Sequence, residues 1–286
     1  MRFDAIGSPG PRTVLYVPGL AAGPAPATLG GAGSLWASLH GAGFTPVLAA
    51  PVLSWRARGQ GFADHVDALG ALIAGLPAPV DLVGHSMGGL LSLAVAARGA
   101  PVRRIVTLGT GVDLHHHPPI GLGGLGPALS TVGAGLRALP GALPVGALAR
   151  ALAPQLARHG GPIVDAQFAA GSTPPRIQAA FFRDGVVDLP FALLADLAGA
   201  LGPRGLLLDG QPLHAALGAL RLPVLCVGAS GDPQVPPGAV ADLAARLPHG
   251  ALVLLPGPFA HLDLLTAPAA TAALFPRLRA FLAEPA

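Results

Sequence analysis

Residues 79–90 read Pro-Val-Asp-Leu-Val-Gly-His-Ser-Met-Gly-Gly-Leu. The first of these residues, 79–83, form a short apolar run that is typical of a buried strand, and the residues from Leu90 to Arg98 have the pattern of a helix. Gly84-His85-Ser86-Met87-Gly88 lies between them. This order of strand, sharp turn and helix predicts that the Ser86 hydroxyl projects from the carboxyl end of a sheet, where open α/β folds bind ligands.

The small residues around Ser86 have a physical reason. A serine on a sharp, strained turn brings two backbone segments close together, and Gly84 and Gly88 leave room for that approach. The alternative interpretation is a glycine-rich turn that holds an ordinary hydroxyl. The strand before the turn and the helix after it favour the interpretation that Ser86 is a catalytic nucleophile.

Short apolar runs alternate with helical patterns on both sides of this stretch. Strands are predicted at 13–17, 46–50, 102–108, 224–227 and 252–255, and helices at 35–40, 62–76, 238–247 and 267–282. This alternation predicts an α/β fold with a mostly parallel central sheet flanked by helices. It stops in the middle of the chain. We therefore expect a core formed by residues 1–111 and 222–286, and a mainly helical cap inserted at 112–221.

The composition excludes several classes of function. The chain has 286 residues, of which 52% are hydrophobic and 11% are charged, so it can bury a large core. All 17 basic residues are arginine, and without lysine the chain has neither a P-loop lysine nor a Schiff-base nucleophile. The net charge is only +3, and with one tyrosine and two tryptophans we expect no nucleic-acid partner.

The cysteine and histidine content gives no sign of a metal or cofactor site. The single cysteine, Cys226, permits no internal disulfide and no multi-cysteine zinc site. Three adjacent histidines, His115, His116 and His117, cannot all turn toward one metal, and a solvated loop is the favoured interpretation. The first residues lack the apolar stretch of a signal peptide, and we expect a cytoplasmic protein.

The chain resembles the α/β-hydrolase superfamily. The turn around Ser86 is similar to that of many bacterial lipases and esterases, residues 222–232 resemble the strand that ends in the triad acid, and Phe259-Ala260-His261 resembles the histidine loop. The insertion, together with Leu208-Asp209-Gly210, is similar to hydrolases related to polyhydroxyalkanoate synthases. Those synthases carry cysteine at the turn where this chain has Ser86, so the resemblance implies hydrolysis rather than polymerisation.

A serine nucleophile needs a base and an acid that orients the base. His261 is the predicted base because it follows the last strand and completes the order Ser, Asp, His; His249 is the alternative, but it precedes that strand. Asp232 is the predicted acid, on the resemblance, and Asp113 is its competitor because it also follows a strand. Asp263 is expected at a helix start as a cap or a solvated charge.

The oxyanion of a tetrahedral intermediate needs two N–H donors. The backbone N–H of Met87, at the head of the helix after Ser86, is the first predicted donor. The resemblance implies that Leu20 supplies the second, because Val17-Pro18-Gly19-Leu20 is similar to the family loop that usually reads His-Gly. Here Pro18 replaces that histidine.

The predicted cap is strongly apolar. Between 118 and 149 only Arg137 is charged, but prolines and glycines interrupt any span long enough to cross a bilayer. We expect short helices whose apolar faces either face the substrate or pack on the core. Transient contact with a lipid interface is a further expected role. Phe181, Phe182 and Phe191 are candidates for an acyl pocket.

These observations predict a serine hydrolase of carboxylic esters with apolar acyl or alcohol groups. The alternatives are a thioesterase or acyltransferase with the same triad, and a relative that binds apolar ligands without catalysis. An aspartate-nucleophile dehalogenase or epoxide hydrolase is disfavoured because the residue at the turn is Ser86.

Overall fold

The computed structural model describes residues 1–53, 60–119 and 126–285. Within these ranges a central sheet has seven strands: β1 (Arg2–Ile6), β2 (Thr13–Val17), β3 (Thr45–Val52), β4 (Val80–His85), β5 (Val102–Leu108), β6 (Val224–Ala229) and β7 (Gly250–Leu255). Their order across the sheet is β1-β3-β2-β4-β5-β6-β7. Strand β1 is antiparallel to β3, and the other neighbours are parallel. The predicted mostly parallel α/β fold is confirmed.

The described residues also form twelve α-helices, several of which cover the two faces of this sheet. They are α1 (Leu35–Gly41), α2 (Phe62–Ala74), α3 (Met87–Ala97), α4 (Gly126–Arg137), α5 (Val145–His159), α6 (Pro162–Gln167), α7 (Pro175–Ala180), α8 (Phe191–Ala200), α9 (Leu213–Leu217), α10 (Pro237–Arg246), α11 (Asp263–Thr266) and α12 (Pro268–Ala283). No described helix is both long enough and apolar enough to span a membrane.

Alternating side chains of the inner strands divide the core into two layers. In β2, Leu15 and Val17 belong to the layer that also holds apolar residues of α2, α3 and α10, whereas Val14 and Tyr16 point into the opposite layer with residues of α1 and α12. Because successive strand residues face opposite sides, a strand covered on both faces must be apolar throughout. All five residues of β2 are buried, which explains its continuous apolar sequence.

One strand of the central sheet is not predicted from the sequence. Strand β1 pairs with β3 at the edge of the sheet and buries only Phe3. An edge strand with one buried side chain has little hydrophobic patterning, so neither an apolar run nor an alternation marks it.

The predicted cap region contains helices α4 to α9, one π-helical turn at Phe181–Gly185 and two short antiparallel ladders. Residues 120–125, part of the nearly uncharged stretch, lie outside the described residues. The end of the region packs into the core: Leu206, Leu208, Leu213, Leu217 and Leu220 are buried in the same layer as α2 and α3. The division between core and cap at residue 221 stays a prediction.

The turn at Ser86 requires glycine on both sides. A Cβ added to Gly84 would lie 2.4 Å from the Gly88 carbonyl oxygen, and one added to Gly88 would lie 2.1 Å from the Val17 carbonyl oxygen. Both neighbours are backbone atoms, which cannot move aside cheaply. The close crossing of β4, α3 and the end of β2 therefore depends on these residues.

We expect Gly88→Ala to lower the free energy of unfolding by about 3 kcal/mol or more, because the new methyl group overlaps backbone. Gly199→Ala is the matched control, since Gly199 lies within α8 and a Cβ there would meet no atom within 4 Å. It should leave stability unchanged or raise it by up to about 1 kcal/mol. Urea unfolding measures both variants, and equal stability of the two would contradict this account.

Candidate active site

Ser86 lies directly after β4 and before α3, in a conformation that costs energy. Its φ is 55° and its ψ is −121°, a region that non-glycine residues rarely adopt. Neighbouring groups hold the turn: the Ser86 N–H donates to the Leu108 carbonyl at 2.7 Å, and the Thr110 hydroxyl donates to the Ser86 carbonyl at 2.9 Å. A strained conformation that several neighbouring groups hold in place is typical of functional turns.

His261 and Asp232 form a buried hydrogen-bonded pair. The Nδ1 atom of His261 lies 2.7 Å from Oδ2 of Asp232, and both side chains are almost inaccessible to solvent. Asp232 Oδ1 also accepts the backbone N–H groups of Gln234, at 2.8 Å, and Val235, at 3.1 Å. With Nδ1–H donating to a carboxylate held in this way, the neutral imidazole presents Nε2 as an acceptor. A base in this tautomer is ready to take a proton.

Gly109 makes room beneath this pair. A Cβ added there would lie 3.0 Å from Cε1 of His261 and 3.3 Å from Oδ2 of Asp232. Gly109 also has a φ of 56°, a conformation that glycine adopts readily. Sequence reasoning did not single out Gly109 or Thr110. Their position immediately after β5, at the carboxyl edge of the sheet, is the feature of the sequence that could have indicated a place in the site.

His85 connects the serine turn to the histidine loop. Its Nε2 donates to the His261 carbonyl at 3.2 Å, and the two imidazole centroids are 4.6 Å apart. Burial and, to a lesser extent, the nearby charge of His261 together lower the pKa of His85 to about 3. His85 is therefore neutral at physiological pH. Ser86 follows it in the chain, so this contact brings the turn and His261 to one edge of the sheet.

The two predicted oxyanion donors lie on adjacent segments. Met87 is the first residue of α3, where backbone N–H groups lack partners within the helix. Leu20 lies in the loop after β2, and a Cβ added to its neighbour Gly19 would lie 3.1 Å from Cβ of Ser86. The same loop pairs with the insertion through a bridge between Ala22 and Val186. The contacts of the Gly19 position show that this loop passes directly beside Ser86.

A small, mainly apolar cavity lies beside Met87 and Gly19, and neither Ser86 nor His261 is among its lining residues. Its lining includes Gly19, Ala21, Met87, Leu91 and Leu193. The aromatic residues predicted for an acyl pocket are not among its lining residues. Phe181 and Phe182 are buried instead in an edge-to-face cluster with Phe168, and Phe191 begins α8.

The competing residues have other partners. The hydrogen bond from His116 and the charge of Arg246 hold the pKa of Asp113 below its ordinary value, although its burial alone would raise it. His249 is exposed at the start of β7, the opposite end of the strand from His261. His115 contacts the Leu201 carbonyl at 3.0 Å. Among the described residues, no group of histidine, cysteine or acidic side chains is arranged to hold a metal.

The expectation that Asp263 is a solvated charge is wrong. Asp263 does begin α11, but its side chain is completely buried. Backbone N–H and hydroxyl donors surround its carboxylate, so the charge is satisfied inside the protein instead of by water.

A family model for the alpha/beta hydrolase fold matches residues 38–268. The chain therefore belongs to the alpha/beta hydrolase family. A search of curated proteins found no match to its sequence.

Solved structures share this fold over nearly the whole chain. A monoacylglycerol lipase from Paleococcus ferrophilus is 18% identical, with a TM-score of 0.65 over 99% of this chain and 98% of that chain. A thermophilic esterase from Thermogutta terrifontis is 19% identical, with a TM-score of 0.59 over 97% and 93%. A bromoperoxidase from Bacillus anthracis is 17% identical, with a TM-score of 0.65 over 99% and 95%. The names of these proteins indicate different reactions, so the reaction of this chain must be argued from its site.

The buried neutral His85 predicts a pH dependence of stability. An unfolded histidine has a pKa near 6.5, and the folded value is about 3, so only the unfolded chain binds this proton between the two values. The free energy of unfolding should therefore fall as the pH drops below about 6.5, by up to about 1.4 kcal/mol per pH unit from this group.

The variant His85→Gln tests this, because glutamine keeps an N–H donor and does not titrate. Urea unfolding between about pH 7.5 and pH 5 should show a smaller loss of stability for the variant than for the wild type. His65, whose pKa is also lowered by burial, contributes the same background to both proteins. An identical loss in both would show that His85 is not held neutral.

Proposed function

We propose that this chain is a serine hydrolase that cleaves carboxylic esters with an apolar acyl or alcohol group. The observation that carries the proposal is the buried hydrogen bond between His261 and Asp232, at the sheet edge where Ser86 occupies a strained turn. The nearly uncharged part of the insertion, residues 118–149, favours an apolar substrate.

In the first half of the proposed reaction, Ser86 Oγ attacks the ester carbonyl carbon while His261 Nε2 takes the serine proton. Asp232 holds the imidazole in its tautomer and stabilises the imidazolium that forms. The backbone N–H groups of Met87 and Leu20 donate to the oxyanion of the tetrahedral intermediate. Collapse of this intermediate breaks the bond to the alcohol oxygen, which takes the proton from His261, and leaves an acyl group on Ser86.

In the second half, a water molecule attacks the acyl carbon and His261 again accepts the proton. Collapse returns that proton to Ser86 Oγ and releases the carboxylic acid. A thioesterase would use the same steps with a thiol as the leaving group, and an acyltransferase would replace water with another nucleophile. A hydrolase is preferred to an acyltransferase because hydrolysis needs no acyl acceptor other than water.

The nucleophile is tested by Ser86→Ala. A fluorophosphonate should label the wild type stoichiometrically and fail to label the variant, and hydrolysis of p-nitrophenyl esters should fall by several orders of magnitude. Ser38→Ala is the control, since Ser38 lies on α1 and bonds Arg279 at 2.7 Å; it should be labelled like the wild type. A label that survives Ser86→Ala would exclude Ser86. A wild type that binds apolar esters without being labelled would favour the non-catalytic alternative.

We further propose that the insertion brings the enzyme to anionic lipid surfaces. Six large apolar side chains of this region are between 40% and 67% exposed: Val132, Leu139, Leu143, Leu148, Leu152 and Ile163. The sequence from 114 to 164 contains three arginines and no acidic residue; Arg137 pairs with Asp196, so Arg150 and Arg158 supply the positive charge. Apolar contact and positive charge together favour the interface of an anionic bilayer.

The double variant Leu148→Ser, Leu152→Ser tests this proposal, because both residues are exposed on α5. The wild type should cosediment with vesicles that contain phosphatidylglycerol, and the double variant should do so much less. Leu252→Ser is the control: Leu252 is 43% exposed, but it lies on the edge strand β7. Equal binding by the wild type and the double variant would show that these side chains do not contact lipid.

A further inference from the structure

The buried carboxylate of Asp263 is fully supplied with donors. Oδ2 accepts the backbone N–H groups of Ala169 and Ala260, both at 2.8 Å. Oδ1 accepts the hydroxyls of Ser172, at 2.6 Å, and Thr173, at 2.7 Å. A buried charge is costly without partners, and four donors offset that cost. The network is too complete to be an incidental feature of a helix start.

These bonds hold the chain on both sides of His261. Ala260 precedes His261, and its N–H bonds the carboxylate, while the Asp263 N–H returns to the Ala260 carbonyl at 3.2 Å. Between them, the Leu262 N–H donates to the Gln167 carbonyl of the insertion at 2.8 Å. The backbone of His261 is therefore fixed by Asp263 and by the insertion together.

The same insertion segment also contacts the loop of Asp232. Gln234 donates through Nε2 to the Ala166 carbonyl at 2.9 Å, and its own N–H donates to Asp232 Oδ1 at 2.8 Å. Residues 166–173 thus bond to both loops that form the His261–Asp232 pair. The relative position of these two loops depends on this segment.

We propose that Asp263 is a positioning residue, which locks residues 166–173 of the insertion against the histidine loop and so sets the orientation of His261 toward Asp232. Its effect on the rate rests on the proposed esterase function; its effect on the His261–Asp232 hydrogen bond does not. Because Asp263 acts through the backbone of His261, its loss should slow the chemical step and leave substrate binding nearly unchanged.

Two substitutions separate the role of the carboxylate from the loss of packing. Asp263→Ala leaves two buried backbone N–H groups without their acceptor. Asp263→Asn keeps an oxygen for them, and its amide can face Ser172 and Thr173, because hydroxyls accept as well as donate. Ser172 retains the Ala169 carbonyl as its acceptor at 2.6 Å. The asparagine variant should therefore recover most of the activity lost with alanine.

The control is Asp81→Ala. Asp81 is also completely buried, but it lies in β4, at the end remote from Ser86, and pairs with Arg103. Both alanine variants remove a buried carboxylate and should lower the melting temperature. Only Asp263→Ala should lower kcat for a p-nitrophenyl ester, by roughly 100-fold with little change in KM, as expected for a small misplacement of a reacting group.

A second measurement does not need turnover. The proton that His261 Nδ1 donates to Asp232 should give a low-field ¹H NMR signal in the wild type, assigned by its loss in Asp232→Ala. The signal should shift or broaden in Asp263→Ala and stay in place in Asp81→Ala and Asp263→Asn. If the wild type hydrolyses no ester, this signal still tests the positioning role, so the two failures are distinguishable.

If Asp263→Ala does not fold, the double variant Ser172→Ala, Thr173→Val removes the insertion's hydroxyl donors and keeps the carboxylate. It should lower kcat and shift the His261 signal, to a smaller extent. The proposal is overturned if the folded variants keep the wild-type kcat and His261 signal, or if Asp263→Ala and Asp81→Ala lose activity equally.

Discussion

The hydrogen bond between His261 and Asp232 requires two loops, separated by a helix and a strand, to meet within 2.7 Å. Strands β6 and β7 bring the two loops together, because they are parallel neighbours and their carboxyl ends lie at the same edge of the sheet. Each loop is then held by its own contacts: Gln234 and Val235 donate to Asp232, and Asp263 bonds on both sides of His261. The Asp232 carboxylate and His261 Nδ1 thus have their partners before any substrate arrives, which is the preorganisation that electrostatic catalysis needs.

Close backbone packing is the second constraint. Gly84 and Gly88 allow β4 and α3 to cross, Gly19 brings the loop after β2 beside Ser86, and Gly109 leaves space under the imidazole. The strained Ser86 persists because buried neighbours hold it on each side. Such strain lowers the free energy of unfolding by about 1–3 kcal/mol. The burial of the two apolar layers around the sheet stabilises the fold enough to offset this cost.

Much of this arrangement could be predicted from the sequence, for physical reasons that vary between elements. Strand β6 and helix α3 are apolar on nearly every face, so the sequence indicates their positions, and the glycine spacing around Ser86 marks the turn. Strand β1 buries a single side chain and left no pattern. Asp263 was misjudged because its partners Ser172 and Thr173 are 91 and 90 residues away in the sequence. Likewise, nothing local distinguishes a phenylalanine that lines a pocket from Phe181, which packs on Phe168.

We propose that Asp232, rather than Asp113, orients His261 in the proposed ester hydrolysis. The most direct measurement is kcat/KM for a p-nitrophenyl ester in Asp232→Asn and in Asp113→Asn, each corrected for the folded fraction. We predict a loss of roughly 10⁴-fold for Asp232→Asn, because asparagine favours the wrong imidazole tautomer. Asp113→Asn should stay close to the wild type, since Asp113 bonds His116 and Arg246. Near-wild-type activity of Asp232→Asn, or a larger loss in Asp113→Asn, would contradict the account.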